Sequence, residues 1–367
     1  MNIDDIINSI DSNNLDIAFG RVVNISAVTL SAVGLDVAVG DIVRIESVQK
    51  LYSVLGMVTV LNDDMFVIVP FSFIDGFKIN DKVFLQRDGL TIKCGNGLLG
   101  RVVNALGEPI DDLGKIRDLD TNAPINKESM SPLDRGIIDQ KFATGVKAID
   151  SMLTCGKGQK VGIFAGSGVG KSTLMGMIVQ GCEATIKVIA LVGERGREIP
   201  EFIHYNLNNN LENTVIVTAT SDESPLMRKY AAFTAMSIAE YFRDKGHDVL
   251  LMMDSVTRFA MAQREIGLST GEPPVSRGYP PSVFALLPQL MERAGNSKKG
   301  SITAFFTVLV DGDDLNDPIA DQSRSILDGH IVLTRDLTEQ GFYPPINILK
   351  SASRVIDKVV SSSTKNS

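Results

Sequence analysis

The chain has 367 residues, of which 44% are hydrophobic and 22% are charged, close to the average of soluble globular proteins. A chain of this length is expected to form two or three domains, and its composition excludes wholesale disorder. The formal net charge is −8, from 36 basic and 44 acidic side chains. Because nucleic-acid-binding domains are usually basic, we expect no nucleic-acid partner.

The cysteines, the histidines and the N-terminus exclude further classes of protein. The three cysteines form no CxxC pair and the three histidines no HxxxH pair, which argues against a disulfide scaffold and a structural zinc site. The N-terminus lacks the basic and apolar regions of a signal peptide, and no run reaches the roughly 18 apolar residues of a membrane helix. We therefore expect a soluble, cytoplasmic protein.

The first third of the chain predicts a short arm, a barrel and a linker. Residues 1–19 form the arm, where isoleucines spaced as on one helix face predict a short helix that packs on its own domain or docks a partner. Residues 20–92 alternate short Val- and Ile-rich runs with Gly and Asp turns, which is typical of a small β-barrel. Residues 93–122 carry Gly and Pro at loop positions and predict a linker.

The rest of the chain has an α/β pattern. In residues 123–358, continuous apolar runs are separated by longer helical stretches, which predicts a mostly parallel sheet with helices on both faces. One stretch, residues 224–246, begins Ser-Pro and ends Lys-Gly, as helices often do. Residues 359–367 form a polar tail.

The segment VGIFAGSGVGKST, residues 161–173, predicts a phosphate-binding loop. An apolar strand runs into a glycine-rich loop and then into Lys-Ser-Thr at the start of a helix, close to the pattern GxxxxGK[ST], with Ala165 in place of the first glycine. Glycines let backbone N–H groups converge on phosphate oxygens, and the helix N-terminus adds positive charge. The predicted nucleotide-binding residues here are Gly166, Ser167, Gly168, Val169, Gly170, Lys171, Ser172 and Thr173.

Two of these residues and one acid further along the chain predict ATP and Mg²⁺ chemistry. Lys171 is expected to reach the β- and γ-phosphates, and the Ser172 hydroxyl is expected to ligate Mg²⁺. Asp254 ends the apolar strand DVLLMMD, which is the Walker-B form, and it is expected to hold Mg²⁺ directly or through water.

A group that activates water is predicted in the loop GERGRE. Glu194 follows the apolar strand KVIALVG, and the carboxyl ends of strands in such a sheet face the nucleotide crevice. We therefore expect Glu194 to polarise water and Arg195 to contact phosphate. The alternative is that this charged loop is a solvated cluster of salt bridges.

The motifs together resemble the catalytic subunits of the rotary ATPase family. The resemblance covers residues 20–358 and rests on AGSGVGKS, GERGRE, LLPQLMERAGN, GDDLNDPIAD and YPPINILKSASR. Within the family, these motifs are most similar to the ATPases of bacterial type III protein export, the flagellar branch first and the virulence injectisome branch next. Ala165 and Ser172 depart from the Gly and Thr of catalytic ATP synthase subunits.

The resemblance implies a RecA-like core and a homohexameric ring with active sites between subunits. Arg354 matches the family's arginine finger, which reaches the neighbour's nucleotide, and Tyr343 matches the aromatic residue that stacks on adenine. Glu198 matches an acid near the metal's water molecules. Arg258 matches an active-site arginine, although it could instead pair with Asp254.

The resemblance also implies partners and a location. These are an export regulator, a stalk protein, chaperone–substrate complexes and peripheral contact with a membrane export gate, for a cytoplasmic enzyme at the inner membrane. The acidic loop, Asp311 followed by GDDLNDPIAD at residues 312–321, is expected to contact subunits or the stalk rather than metal. Relatives continue into a C-terminal helical domain, which we expect to be absent here because the chain stops at Ser367.

Other functions fit parts of the pattern. An ATP synthase-type subunit would assemble with a non-identical sister. An RNA-translocating hexamer would need stacking aromatic side chains in the barrel, whose aromatic residues instead lie largely within or beside apolar strands, as core residues do. A P-loop module that binds nucleotide without turnover is the non-enzymatic alternative.

Overall fold

The computed structural model describes residues 18–47, 52–310 and 316–360. The predicted arm helix, the polar tail and the first part of the acidic loop lie outside these residues, apart from the last residues of the arm and the first two of the tail. The described chain divides into two compact units, which meet in sequence between Gly89 and Leu90.

The first unit is a closed six-stranded barrel. Its strands pair in the order β1-β2-β5-β4-β3-β6, and each pair is antiparallel. Branched and aromatic side chains fill the interior, among them Val22, Ile45 and Phe66. The strands are β1 Phe19–Ile25, β2 Leu30–Val33, β3 Ile42–Glu46, β4 Ser53–Asn62, β5 Met65–Pro70 and β6 Lys82–Gln86.

The second unit is built on a nine-stranded sheet that is mainly parallel. The order of eight strands is β19-β18-β12-β17-β15-β13-β14-β8, and β16 pairs with β17. Only β16 and β19 run antiparallel to their neighbours among the described pairs of this sheet. The strands of the second unit are β7 Thr91–Cys94, β8 Val102–Val103, β9 Thr121–Pro124, β10 Lys141–Phe142, β11 Cys155–Gly156, β12 Lys160–Ala165, β13 Ile186–Glu194, β14 Thr214–Thr220, β15 Asp248–Asp254, β16 Gly295–Asn296, β17 Ser301–Leu309, β18 Gly329–Val332 and β19 Ala352–Ser353.

Helices connect and cover these strands. The α-helices are α1 Lys147–Met152, α2 Lys171–Gly181, α3 Glu198–Glu201, α4 Pro225–Asp244, α5 Val256–Ser269, α6 Pro281–Met291, α7 Pro318–Ile326, α8 Arg335–Glu339 and α9 Ile356–Val359. A π-helical turn, Phe202–Asn206, continues α3. The stretch predicted as a helix from its Ser-Pro start is α4, where Ser224 caps the N-terminus by accepting a hydrogen bond from the Met227 amide.

Residues 93–122, predicted as a linker, contribute strands to the second unit. Strand β8 extends the nine-stranded sheet beside β14, because the apolar side chains of Val102 and Val103 are buried there. Strands β7 and β9 pair with each other in a separate ribbon. The segment is therefore more ordered than its Gly and Pro content indicates.

The start of α7 shows how the local sequence uses one acid of the acidic loop. Asp317 caps α7 by accepting hydrogen bonds from the amides of Ile319 and Ala320, at 2.9 and 3.3 Å, and Pro318 follows it at the first helical position. The acidic loop thus uses Asp317 as a helix cap, while residues 311–315 lie outside the described chain.

In the described residues, no helix is long and apolar enough to cross a membrane.

Candidate active site

The glycine-rich loop joins the carboxyl end of β12 to the start of α2. Gly168 and Gly170 adopt left-handed backbone angles, with φ of 75° and 87°, which side chains other than glycine rarely adopt. A Cβ at Gly168 would meet open space, so the backbone there is accessible to a ligand. Lys171 is the first residue of α2, which brings its side chain to the sheet edge beside the loop.

Lys171 is the centre of the candidate site. Its ammonium group donates a short hydrogen bond to Oδ1 of Asp254 and lies 3.6 Å from Oε1 of Glu194. Asp254 ends β15 and Glu194 ends β13, so the parallel sheet brings both acids to one edge. Burial lowers the pKa of Lys171, but Asp254 and Glu194 outweigh it and raise that pKa above its ordinary value. The ammonium group therefore stays charged.

The structure adds Thr307 to the predicted residues. Its hydroxyl donates a hydrogen bond of 2.6 Å to Oδ1 of Asp254 from β17, the strand beside β15, and both side chains are buried. In the sequence, Thr307 is one of two threonines in the apolar run ITAFFTVLV. Periodicity alone does not distinguish it from an ordinary core residue of a strand.

Glu194 has the properties of a proton acceptor near neutral pH. Burial raises the pKa of Glu194 to about 7, Lys171 opposes that rise, and the acids Asp254 and Glu198 add to it. An acid whose pKa lies near the working pH is suited to general-base catalysis.

A cavity of about 250 Å³ opens beside these groups. Its wall combines oxygen donors with apolar side chains, and the lining residues are Ser172, Leu191, Glu194, Glu198, Ile199, Glu201, Phe202, Asn206 and Asp254. The cavity has room for water molecules next to Glu194.

The oxygen donors of this cavity fit Mg²⁺. The hydroxyl of Ser172 and the carboxylate of Asp254 line one cavity, and hard oxygen atoms are the ligands that Mg²⁺ prefers. Mg²⁺ usually takes one or two protein ligands and completes its shell with water and phosphate. Among the described residues, no group of three or more His, Cys, Asp or Glu side chains is arranged to hold a metal ion.

The other predicted residues lie at different distances from this centre. The Tyr343 ring is 3.8 Å from the position that a Cβ on Gly170 would take, so it adjoins the phosphate loop. Arg195 is largely exposed and pairs with Oε1 of Glu198 at 3.5 Å. Arg258 packs its aliphatic stem against Gly193 rather than pairing with Asp254, which is bonded to Lys171.

Arg354 lies at the other end of the sheet from the phosphate loop. Its amide donates to the carbonyl of Asp328 at 2.9 Å, and the Asp328 amide donates to the carbonyl of Lys160 at 2.9 Å. Lys160 begins β12, whereas the phosphate loop follows its last residue, Ala165. At about 3.3 Å per residue, those five steps span roughly 16 Å. Arg354 is therefore too far away to reach the phosphate loop of its own chain.

Comparison with known proteins agrees with this geometry. Residues 145–353 match the model of the ATP synthase alpha/beta family, nucleotide-binding domain. The chain is 62% identical over 346 residues to a flagellum-specific ATP synthase of Helicobacter pylori, an alignment that covers 94% of this chain and 79% of that protein.

Solved structures of a type III secretion system ATPase share the fold. The assembled ATPase EscN from the enteropathogenic Escherichia coli type III secretion system superposes with a TM-score of 0.89 and 47% identity, over 95% of this chain and 83% of EscN. EscN in complex with its central stalk EscO gives a TM-score of 0.87 and 46% identity, over the same shares of the two chains. The predicted barrel and P-loop core are confirmed by these matches. The chain belongs to the ATP synthase alpha/beta family, alongside the flagellum-specific ATP synthases and the type III secretion ATPases.

Proposed function

We propose that this chain hydrolyses ATP with Mg²⁺ to power type III protein export during assembly of the bacterial flagellum. The observation that carries the proposal is the contact of Lys171 with both Asp254 and Glu194 at the mouth of the glycine-rich loop. It joins a phosphate-binding cation, a metal-binding acid and a proton acceptor in one place.

The residues of the site have separate roles in phosphoryl transfer. The backbone of residues 166–170 and the ammonium group of Lys171 hold the β- and γ-phosphates, and Lys171 exchanges Asp254 for phosphate oxygen when ATP binds. Ser172 and Asp254 would hold Mg²⁺, which would supply positive charge to the phosphates. Thr307 keeps the Asp254 carboxylate oriented through its hydrogen bond.

Glu194 is the proposed general base. It lines the cavity beside the phosphate loop, orients a water molecule there for attack on the γ-phosphate, and accepts its proton. Its raised pKa makes it a better base than an ordinary glutamate while leaving much of it ionised near neutral pH. Glu198 lies within the same cavity and orients further water molecules.

The site is completed by a neighbouring chain. Because Arg354 is exposed and lies at the opposite end of β12 from its own phosphate loop, its guanidinium serves the nucleotide of an adjacent subunit. An arginine in that position stabilises charge that develops on the transferring phosphoryl group, so it acts on kcat more than on binding. Tyr343, beside Gly170, stacks on the adenine of its own nucleotide.

The proposed site between subunits and the similarity to EscN support a ring and a set of partners. The assembled form of EscN and its complex with a central stalk support a homohexamer that contacts a stalk protein. Chaperone–substrate complexes, an export regulator and a membrane export gate complete the proposed partners, at the cytoplasmic side of the inner membrane. The flagellar role is favoured over the injectisome role because identity is 62% to the flagellum-specific relative and 47% to EscN.

Phosphate release from MgATP tests the chemistry. We expect Glu194→Gln to reduce turnover by at least 100-fold while leaving ATP affinity nearly unchanged, since a positioned base contributes about 10²–10⁴-fold. The matched control is Glu183→Gln, an exposed glutamate after α2, which should retain full turnover. Full turnover in Glu194→Gln would refute the assignment of the base.

Turnover measured against protein concentration tests the shared site. Specific activity should rise steeply as light scattering reports growth toward a hexamer. Constant activity in a persistent monomer would show that no neighbour is needed. Restoration of swimming in a strain that lacks its flagellar export ATPase, without restoration of injectisome secretion, tests the flagellar assignment.

A further inference from the structure

Gln159 is a fully buried polar residue with no part in phosphate chemistry. It directly precedes β12, and none of its side chain is exposed. Its Oε1 accepts a hydrogen bond from the Gly156 amide at 2.9 Å. Its Nε2 donates to the carbonyl of Asp328 at 2.9 Å and to Oγ of Ser353 at 3.3 Å. A buried amide with all of these bonds formed fixes the segments that it joins.

One acceptor of Nε2 also binds the backbone of Arg354, and the other belongs to the residue before Arg354. The carbonyl of Asp328 also accepts the amide hydrogen of Arg354, at 2.9 Å. Ser353 precedes Arg354, and its hydroxyl donates to the carbonyl of Thr154 at 2.8 Å. Gln159 therefore binds both the residue that precedes Arg354 and the residue that accepts the Arg354 amide hydrogen.

This anchoring matters because strand β19 is very short. It contributes two residues to the edge of the sheet and pairs only with β18 among the described strands. The side chain of Arg354 is exposed, and its described contact is a bond of 3.3 Å from Nη2 to the carbonyl of Arg324. The position of the guanidinium therefore depends largely on the backbone of Arg354. Few hydrogen bonds of the sheet hold that backbone, because β19 pairs with β18 over two residues.

We propose that Gln159 is a positioning residue for Arg354, holding β19 so that the guanidinium reaches the nucleotide of the adjacent subunit. The inference rests on the proposed role of Arg354 in the neighbour's site. Gln159 directly precedes β12, the strand that leads into the phosphate loop of its own chain. Its hydrogen bonds therefore connect that strand to the arginine that serves the neighbouring subunit.

A double-mutant cycle on kcat tests the proposal. Gln159→Met keeps the length of the side chain and removes its hydrogen bonds. We expect it to lower kcat roughly tenfold, with the dissociation constant for ATP unchanged within about twofold, because Arg354 acts on the transition state. In the Arg354→Ala background, the same substitution should change kcat less than about twofold, since two residues that act through one contact are not additive.

The control removes a buried hydrogen bond at the opposite edge of the sheet. Thr234 on α4 donates to the carbonyl of Ala105, just after β8, at 2.5 Å. Thr234→Val should lower thermal stability to a similar extent as Gln159→Met without a comparable loss of kcat. Equal losses of kcat in both variants would mean that Gln159 contributes only stability.

The outcomes separate this inference from the proposed function. If Arg354→Ala leaves kcat unchanged, the shared site itself fails. If Arg354→Ala lowers kcat and Gln159→Met lowers it by the same factor in both backgrounds, only the positioning role fails. Should Gln159→Met not fold or assemble, Ser353→Ala, which removes one acceptor of Nε2, is judged by the same cycle, and additive effects there would equally overturn the proposal.

Discussion

Replacing Thr307 by valine isolates one hydrogen bond to the proposed metal ligand. Valine has nearly the shape of threonine, so Thr307→Val removes the 2.6 Å bond to Asp254 with little change in packing. Among the described residues, Lys171 and Thr307 are the donors to Oδ1 of Asp254. When Lys171 binds phosphate instead of Asp254, Thr307 is the one of these two donors that still binds Asp254.

The magnitude follows from the charge of the acceptor. A hydrogen bond to a charged group contributes about 1.5–3 kcal/mol, and each 1.36 kcal/mol is a factor of ten in rate. If the bond is needed to present Asp254 to Mg²⁺ in the transition state, Thr307→Val should lower kcat roughly 10- to 150-fold. The Mg²⁺ concentration for half-maximal turnover should rise as well.

The same strand supplies a matched control. Thr303, four residues earlier in β17, is also fully buried and accepts a hydrogen bond from the Gly158 amide at 2.9 Å. Thr303→Val should lower the free energy of unfolding by about 1–3 kcal/mol because it leaves that amide unpaired, yet keep kcat within about twofold. Steady-state phosphate release with a Mg²⁺ titration is the assay. Comparable kcat in the two variants would refute the reasoning.

Three further predictions concern acidity, metal and the core. Because Glu194 must be ionised to accept a proton and its pKa is raised to about 7, kcat/KM should rise with pH up to about 7 and level off above it; a limb near the ordinary value of 4.5 would contradict this. Removing Mg²⁺ with a chelator should abolish phosphate release and readdition should restore it, whereas turnover that survives chelation would exclude the proposed Mg²⁺ dependence. Glu240→Gln should lower the free energy of unfolding in urea by about 3–5 kcal/mol, because it leaves the fully buried Arg293 without its charged partner at 2.8 Å. The exposed pair of Asp134 and Lys298 gives the comparison, where Asp134→Asn should cost less than about 1 kcal/mol; equal costs would show that burial is not what matters.

The sequence predicts those features that depend on short stretches of chain. The phosphate loop is recognisable because its glycines, its lysine and its flanking strand and helix lie within 13 residues. Glu194 and Asp254 are recognisable because each ends an apolar run, and parallel strands bring such ends to one edge.

Features that depend on contacts distant in sequence were not predicted. Thr307 meets Asp254 from 53 positions away, and Gln159 meets Asp328 from 169 positions away. Neither residue differs in its local pattern from an ordinary strand or turn residue. Strand β8 was missed for a related reason, since two valines are too short a run to show a period, and only the pairing with β14 makes them a strand.

The edges of the two sheets bear on how this chain avoids uncontrolled association. In the described part of the barrel, every strand has a partner on both sides, which limits the backbone that can pair with another chain. The larger sheet ends in β8 and β19, each only two residues long. Such short edges are poor templates for strand addition, the route by which sheets aggregate into fibres. Backbone pairing between the sheet edges of two copies of this chain is therefore disfavoured.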